Sequence, residues 1–233
     1  MLKGYMGNIL YVDLTSGQWE VRPLNPEPAK AFVGGMGLNA WLMTRHYRAH
    51  TPALSPDTPI ILGAGPLVGT GVPGAAKLVA TTRFPLNGTI SESVGSMRFA
   101  VNLKKAGFDH VVVTGRSPKP VVLQIRDDGA ALSDAKDLWG ADIFQTTDIL
   151  KQSAGSQSSV VAIGPAGENE VVFSMALVDK ASTLGRGGLG AVLGSKNLKA
   201  LVAMGHKRPE IHDPQELKAL LSGFRERLKR FKN

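Results

Sequence analysis

The sequence predicts an α+β fold: two similar β-sheet halves in a pseudo-twofold arrangement, with short helices between the strands. Three observations carry that prediction. One order of segments occurs twice, over residues 59–116 and 159–206: an apolar strand ending in Gly-Pro, a second strand, a glycine- and serine-rich loop entering a short helix, and a closing apolar strand. The period is too long and the copies too few for a solenoid, so the two copies are expected to pack on each other. With 233 residues, 43% apolar residues and a mean hydropathy of -0.01, the chain can bury a substantial core.

Residues 8–14 (NILYVDL) read as a strand, Thr15, Ser16 and Gly17 as a turn, and residues 18–24 as the returning strand of a hairpin. A helix is expected to start near residues 26–28 and run toward His50. Its apolar positions Ala31, Phe32, Leu38, Trp41, Leu42 and Met43 are only roughly helical in period, because Gly34, Gly35 and Gly37 intervene. That glycine group either breaks the helix or lets another backbone come close. The first copy of the repeat then runs through a strand and Gly-Pro loop at 59–71 (PIILGAGPLVGTG), a strand at 77–83, a loop entering a helix over 87–106, and a strand at 109–115. Residues 121–125 form a strand, Arg126, Asp127, Asp128 and Gly129 a hairpin turn, and 142–152 a helix opened by Asp142. The second copy has its strand and Gly-Pro loop at 160–169 (VVAIGPAGEN), a strand at 171–178, a loop and helix at 182–195, and a strand at 197–205.

Residues 1–206 are expected to make one domain, and 207–233 a linker and an amphipathic basic helix. Asp213, Pro214 and Glu216 have the form of a helix start, and Leu217, Leu220, Leu221, Phe224, Leu228 and Phe231 make one apolar stripe. That greasy face has no place in the duplicated core, so the helix is expected to dock on a following domain or a partner.

Composition removes several functions. The chain has no cysteine, which rules out disulfides, thiolate zinc sites and any iron–sulfur cluster held by its own thiolates. No apolar run is long enough to span a bilayer, and the first residues lack a signal-peptide core, so a cytoplasmic location and no membrane partner are expected. The formal charge of +8 favours anions. Much of it lies in the tail, where basic residues alternate with Glu210, Glu216 and Glu226 and face an apolar side, which speaks for partner packing and against nucleic acid.

Residues 185–196 (GRGGLGAVLGSK) are the most informative stretch. Glycines ahead of a helix suit either an anion held by backbone N–H groups or tight packing of backbone on backbone. The spacing matches neither the Walker A loop nor a dinucleotide-binding turn, and Gly63, Gly65 and Gly69, interrupted by Pro66, do not match the latter either. His46 and His50 have metal-ligand spacing, but Arg45 and Arg48 beside them mark a solvated helix face. Trp19, Trp41 and Trp139 read as packing residues.

Eight ordered blocks are together similar to the N-terminal domain of the tungsten-containing aldehyde ferredoxin oxidoreductase family. They are residues 4–17 (GYMGNILYVDLTSG), 32–38 (FVGGMGL), 54–56, 65–70 (GPLVGT), 103–109 (LKKAGFD), 138–140, 164–169 (GPAGEN) and 185–200 (GRGGLGAVLGSKNLKA), and the resemblance covers about residues 4–205. The resemblance implies a domain on which two pyranopterin cofactors holding tungsten or molybdenum lie, with magnesium bridging their phosphates. It implies that a [4Fe-4S] cluster and the substrate surroundings come from further domains or a cluster-bearing subunit, so that the chain is not a complete enzyme alone. The reaction implied is oxidation of aldehydes to carboxylic acids with ferredoxin as the eventual acceptor, and a homo-oligomer is compatible with it. The alternative is a non-catalytic pterin-binding carrier or assembly protein.

The family's arginine after the Gly-Pro loop, and its asparagine and second arginine in the glycine loops, match Lys77, Val94 and Ser182 here. The resemblance extends the cofactor-binding set to the backbone at Gly95, Ser96, Thr183, Gly185, Gly187 and Gly188, with Arg186 supplying charge and Thr183 nearest the metal. No catalytic residue is assigned.

Overall fold

The computed structural model describes residues 2–127 and 129–230. The first sheet has the order β2-β1-β6-β3-β4-β5, from β1 (Asn8–Asp13), β2 (Gln18–Pro23), β3 (Ile60–Ala64), β4 (Leu78–Arg83), β5 (Ile90–Gly95) and β6 (His110–Thr114). The second has the order β8-β7-β12-β9-β10-β11, from β7 (Val121–Arg126), β8 (Gly129–Asp134), β9 (Ser159–Ala162), β10 (Ala176–Val178), β11 (Ser182–Leu184) and β12 (Leu198–Ala203). The two orders are the same. In each sheet a hairpin joins the last strand in parallel, β1 on β6 and β7 on β12, and every other pairing is antiparallel. The topological repeat is therefore longer than the one seen in the sequence, since it takes in the hairpin ahead of each copy.

Strand β5 faces β11 and β2 faces β8, equivalent against equivalent, as a twofold relation requires. Side chains alternate by two along each strand. Leu10, Val12, Ile60, Leu62, Val111 and Val113 join Val161, Ile163, Leu201 and Ala203 in one core between the sheets. Ile9, Ile61 and Val112 face outward under α2 (Met36–His46), and Val160, Ala162, Ala200 and Val202 face outward under α4 (Ile143–Ala154). Both faces of these strands are buried, so they read as unbroken apolar runs.

The expected helix from 26–28 to His50 is two helices, α1 (Pro26–Phe32) and α2. Val33 at φ 62° and Gly35 at φ 48° break it, and a Cβ on Gly34 would lie 3.0 Å from Pro66 Cδ, so the glycine group both ends a helix and admits another loop. The strand expected at 171–178 is reduced to β10. Before it come α5 (Pro165–Glu168) and a turn closed by Ser174 N–H donating to Val171 C=O, because this stretch packs on α6 (Leu189–Gly194) and Gly190 N–H donates to Ser174 C=O at 3.1 Å. The glycine- and serine-rich loops expected at 87–106 and 182–195 each contribute an edge strand, β5 and β11, before the helices α3 (Phe99–Lys105) and α6.

Asp142 caps α4 by accepting from Gln145 N–H at 2.8 Å, and Asp213 caps α7 (Pro214–Lys229) by accepting from Gln215 and Glu216 N–H. None of the described residues of α7 is buried. Phe231 and Lys232 of that tail, and Asp128 of the expected hairpin turn, lie outside the described residues. No helix among the described residues is long and apolar enough to cross a membrane.

One buried polar cluster lies under α2. Asn39 Nδ2 lies 3.0–3.2 Å from Ile61 C=O, Val79 C=O and Thr81 Oγ1, and its Oδ1 accepts from His110 Nδ1–H at 2.8 Å. This bond sets the imidazole tautomer and leaves Nε2 as a buried lone pair with no partner. Complete burial lowers the His110 pKa to about 4. A Cβ at Gly63 would lie 2.3 Å from both Asn39 Oδ1 and His110 Nδ1, so only glycine admits the pair.

Candidate functional site

The site is built where the two sheets meet edge to edge. Leu78 pairs Gly95 and Val79 pairs Val94 in the first sheet; Ala176 pairs Leu184 and Leu177 pairs Thr183 in the second. Through the pairings Gly63 with Val79 and Ala162 with Leu177, these registers make Val94 and Thr183 equivalent positions, and Lys77 and Met175 likewise. The seam is tight. A Cβ on Gly95 would lie 3.0 Å from Leu184 Cδ2 and 3.1 Å from Val178 Cγ2.

Three polar links cross or brace the seam. Ser96 N–H donates to Ser182 Oγ at 2.8 Å, Arg186 N–H donates to Ser93 Oγ at 3.2 Å, and Lys77 Nζ donates to Ser96 Oγ at 2.6 Å. The first two join the halves at exposed edges that would otherwise carry unpaired backbone groups.

Val94 and Thr183 both open onto one central cleft of about 390 Å³, shared with Met36, Glu92, Ser93, Gly185 and Arg186. It is flanked by two mainly apolar clefts. One, of about 390 Å³, has Val33, Gly35, Val79 and Lys77 against Gly65, Pro66, Leu67 and Val68; the other, of about 280 Å³, has Ile143, Phe144 and Met175 against Gly164, Pro165 and Gly167. The two Gly-Pro loops are equivalent in register, because Ala64 N–H donates to Asp109 C=O at 3.0 Å and Ile163 N–H to Lys199 C=O at 3.1 Å. The arrangement is thus one polar centre and two apolar wings, with its parts exchanged by the pseudo-twofold.

Large apolar side chains stand exposed around it: Val33 at 58%, Leu67 at 55%, Met36 at 52%, Phe144 at 54% and Met175 at 43% of their surface. Such a concentration of exposed apolar area on one face marks a binding surface. The chemistry suits a large, partly apolar, multiply anionic ligand. Lys77 and Arg186 bring positive charge, the wings bring apolar walls, and a Cβ on Gly65 would meet nothing within 4 Å, so the wing is open there. Among the described residues no group of three or more His, Asp or Glu side chains is placed to hold a metal ion.

The residues expected from sequence divide by place. Val94, Thr183, Gly185 and Arg186 line the centre, and Lys77 lines a wing. Ser96 N–H donates to Ser182 Oγ and is therefore not open to a ligand, while Ser96 Oγ accepts from Lys77. Gly187 and Gly188 turn inward: at φ 73° and 91°, a Cβ would lie 2.4 Å from Phe84 Cγ and 1.9 Å from Val172 C=O oxygen. Of the two readings of this glycine run, tight packing accounts for this pair. Met36, Glu92 and Ser93 were not singled out by sequence, since nothing local distinguishes them and α2 is brought over the seam only by tertiary packing. The nearest signal was the repeated Gly-Pro pair, whose loops turn out to form the wings.

A family profile described as "Aldehyde ferredoxin oxidoreductase, N-terminal domain" matches residues 9–205. The chain is 36% identical over 228 residues to a tungsten-containing aldehyde ferredoxin oxidoreductase of Pyrococcus abyssi, covering 97% of this chain and 38% of the relative. It is 31% identical to the "Aliphatic sulfonate oxidoreductase, WOR-like subunit" of Pyrococcus furiosus, covering 94% of this chain and 38% of the relative. Among solved structures, a chain of the active site complex BamBC of benzoyl coenzyme A reductase, in complex with 1,5-dienoyl-CoA, superposes with a TM-score of 0.94 at 32% identity, covering 99% of this chain and 35% of that one. The chain therefore spans a little over a third of the length of the relatives it matches. By its matched length, its sequence identity and the edge-to-edge duplicated sheets, the chain belongs to the aldehyde ferredoxin oxidoreductase family, in the part that forms the N-terminal domain.

Proposed function

We propose that this chain is the cofactor-bearing base of a cytoplasmic tungsten or molybdenum bis-pyranopterin oxidoreductase that converts aldehydes to carboxylic acids, with ferredoxin as acceptor. The observation that carries the reading is the symmetry of the site: two equivalent Gly-Pro wings flank one centre at which the equivalent residues Val94 and Thr183 meet. A ligand made of two like halves joined at their anionic ends matches that plan.

In this reading each wing would take one pterin against its apolar wall, Lys77 and Arg186 would neutralise phosphate charge, and the main chain at Val94 and Thr183 would help to hold magnesium. When bound, the cofactor supplies the two-electron oxidation. The residues of this chain bind it, orient it and keep water from its apolar faces. The cluster and the substrate pocket come from further domains or a partner subunit, because the chain has no cysteine with which to ligate iron. The cysteine-free composition equally favours the second reading, a non-catalytic pterin carrier or assembly protein.

The test is elemental analysis of the natively purified protein for tungsten, molybdenum, magnesium and phosphorus, with fluorescence of the acid-released oxidised pterin. The expected result is metal with about two pterins per chain, and occupancy that falls in Lys77→Gln and Arg186→Gln. Pterin without metal would move the assignment to the carrier, and neither would remove both readings.

A further inference from the structure

The loop leaving β3 lines two clefts. Residues 65–68 wall the wing of the site above, whereas Gly69, Thr70 and Gly71 wall a separate recess of about 300 Å³, closed on its other sides by the end of α3 and the segment that follows β12. We propose that this recess binds a small phosphate-headed anion. The inference does not depend on the cofactor reading.

Lys105, Lys207 and Arg208 line the recess, and no Asp or Glu is among its lining residues. Two of the cations there are already engaged: Lys104 Nζ donates to Asp109 Oδ1 at 2.7 Å and to Gly4 C=O at 2.6 Å, and Lys207 interacts electrostatically with Asp127. Glu210, the next acidic residue along the chain, is paired with Lys3, and Asp127 with His206. Among the described residues neither Lys105 nor Arg208 has a carboxylate partner. Lys105 and Arg208, converging in a concavity whose lining carries no carboxylate, create a positive potential that an anion relieves.

The backbone adds donors. Gly69 and Gly71 have φ of 82° and 89°, a Cβ on Gly71 would meet nothing within 4 Å, and neither N–H has an acceptor among the described residues. The walls are held in place. Lys207 N–H donates to Lys105 C=O at 2.9 Å, and Gly205 lies so close to the end of α3 that a Cβ would be 2.3 Å from Ala106 N. Pro209 sits over Gly69, where a Cβ would be 3.4 Å from its Cδ. More than one cation favours a phosphate dianion over a carboxylate, and Val101 and Ile211 leave room for a short apolar substituent.

The test is a titration of the full, ¹⁵N-labelled chain with inorganic phosphate at low ionic strength, followed at the Gly69 and Gly71 amides, then repeated with phenyl phosphate and with butyrate. The expected result is saturable shifts at both amides. Affinity should be weakened about tenfold or more in Lys105→Gln/Arg208→Gln, weakened less in Arg208→Gln alone, and unchanged in Arg186→Gln, which reports on the cofactor cleft. Phenyl phosphate should bind at least as well as phosphate. Four results would overturn the proposal: no shift at these amides, shifts retained in full in both Arg208 variants, butyrate binding as tightly as phosphate, or a response to poly-glutamate but not to phosphate, which would make the recess a protein-docking surface.

Discussion

Each half of the molecule turns from a helix into its closing strand at the same place, and each buries a charge there, but the charges are opposite. In the first half Asp109 accepts from Lys104 at 2.7 Å, with both side chains fully buried; in the second, Lys199 holds the equivalent position and donates to Glu168, again with almost no exposure. The backbone around them is the same. Gly107 N–H donates to Lys104 C=O at 2.9 Å, and Asn197 N–H to Gly194 C=O at 2.8 Å, each from a residue in the left-handed region. The helix position that carries Lys104 in one half is thus Gly194 in the other. Duplication has kept the hydrogen-bonded path of the chain and left the polarity of the buried pair free, because the path is set by the two sheets whereas a buried charge needs only one partner and enough donors or acceptors.

The largest effect that would break this comparison is expected at Gly194. A Cβ there would lie 1.9 Å from Gly167 C=O oxygen, since α5 crosses α6 at this point, so Gly194→Ala should cost more than about 4 kcal/mol or prevent folding, as read by urea unfolding. A tolerated alanine would mean that α5 does not sit where the second half places it.

Lys104→Met comes next. It leaves Asp109 buried with only the N–H groups of Met6 and Gly7, at 3.1 and 2.7 Å, and should cost about 3–5 kcal/mol. Lys199→Met should cost a similar amount, leaving Glu168 with Gly140 N–H at 2.8 Å. A loss in one half only would show that the junctions are equivalent in backbone but not in energetics.

The third effect belongs to one half alone, since Ala200 stands where the first half has His110. The His110 pKa is about 4 in the fold against an ordinary 6.5, so the unfolded chain binds the proton more readily. Stability is therefore full above about pH 6.5 and falls by roughly 3 kcal/mol as pH drops toward 4. Unfolding curves across that range should flatten in His110→Gln; an unchanged slope would place the acid sensitivity elsewhere.

Much of this was legible in the sequence. The β1–β2 hairpin, the apolar strands β3, β6 and β12, the capped starts of α4 and α7 and the repeated Gly-Pro loops all follow from local pattern. Strands β5 and β11 did not follow from it. Ile90–Gly95 is half serine and glycine, and Ser182–Leu184 is three residues long; both are strands because β4 and β10 supply backbone partners. The site shows the same division. Gly185 and Arg186 could be found by composition, while Met36 and Glu92 required knowing that α2 and β5 border the seam.

By itself, then, the sequence determined the family, the duplicated plan, the lack of thiolate ligands and most element starts, because these are written in short-range pattern and composition. Only the tertiary structure decided that the edges of the two sheets meet, that Gly187 and Gly188 serve packing, that Ser96 and Ser182 bond each other, and that Lys105 and Arg208 converge on one recess. Those facts depend on contacts between residues tens of positions apart, and no local propensity encodes which backbone will lie a few ångströms from a glycine.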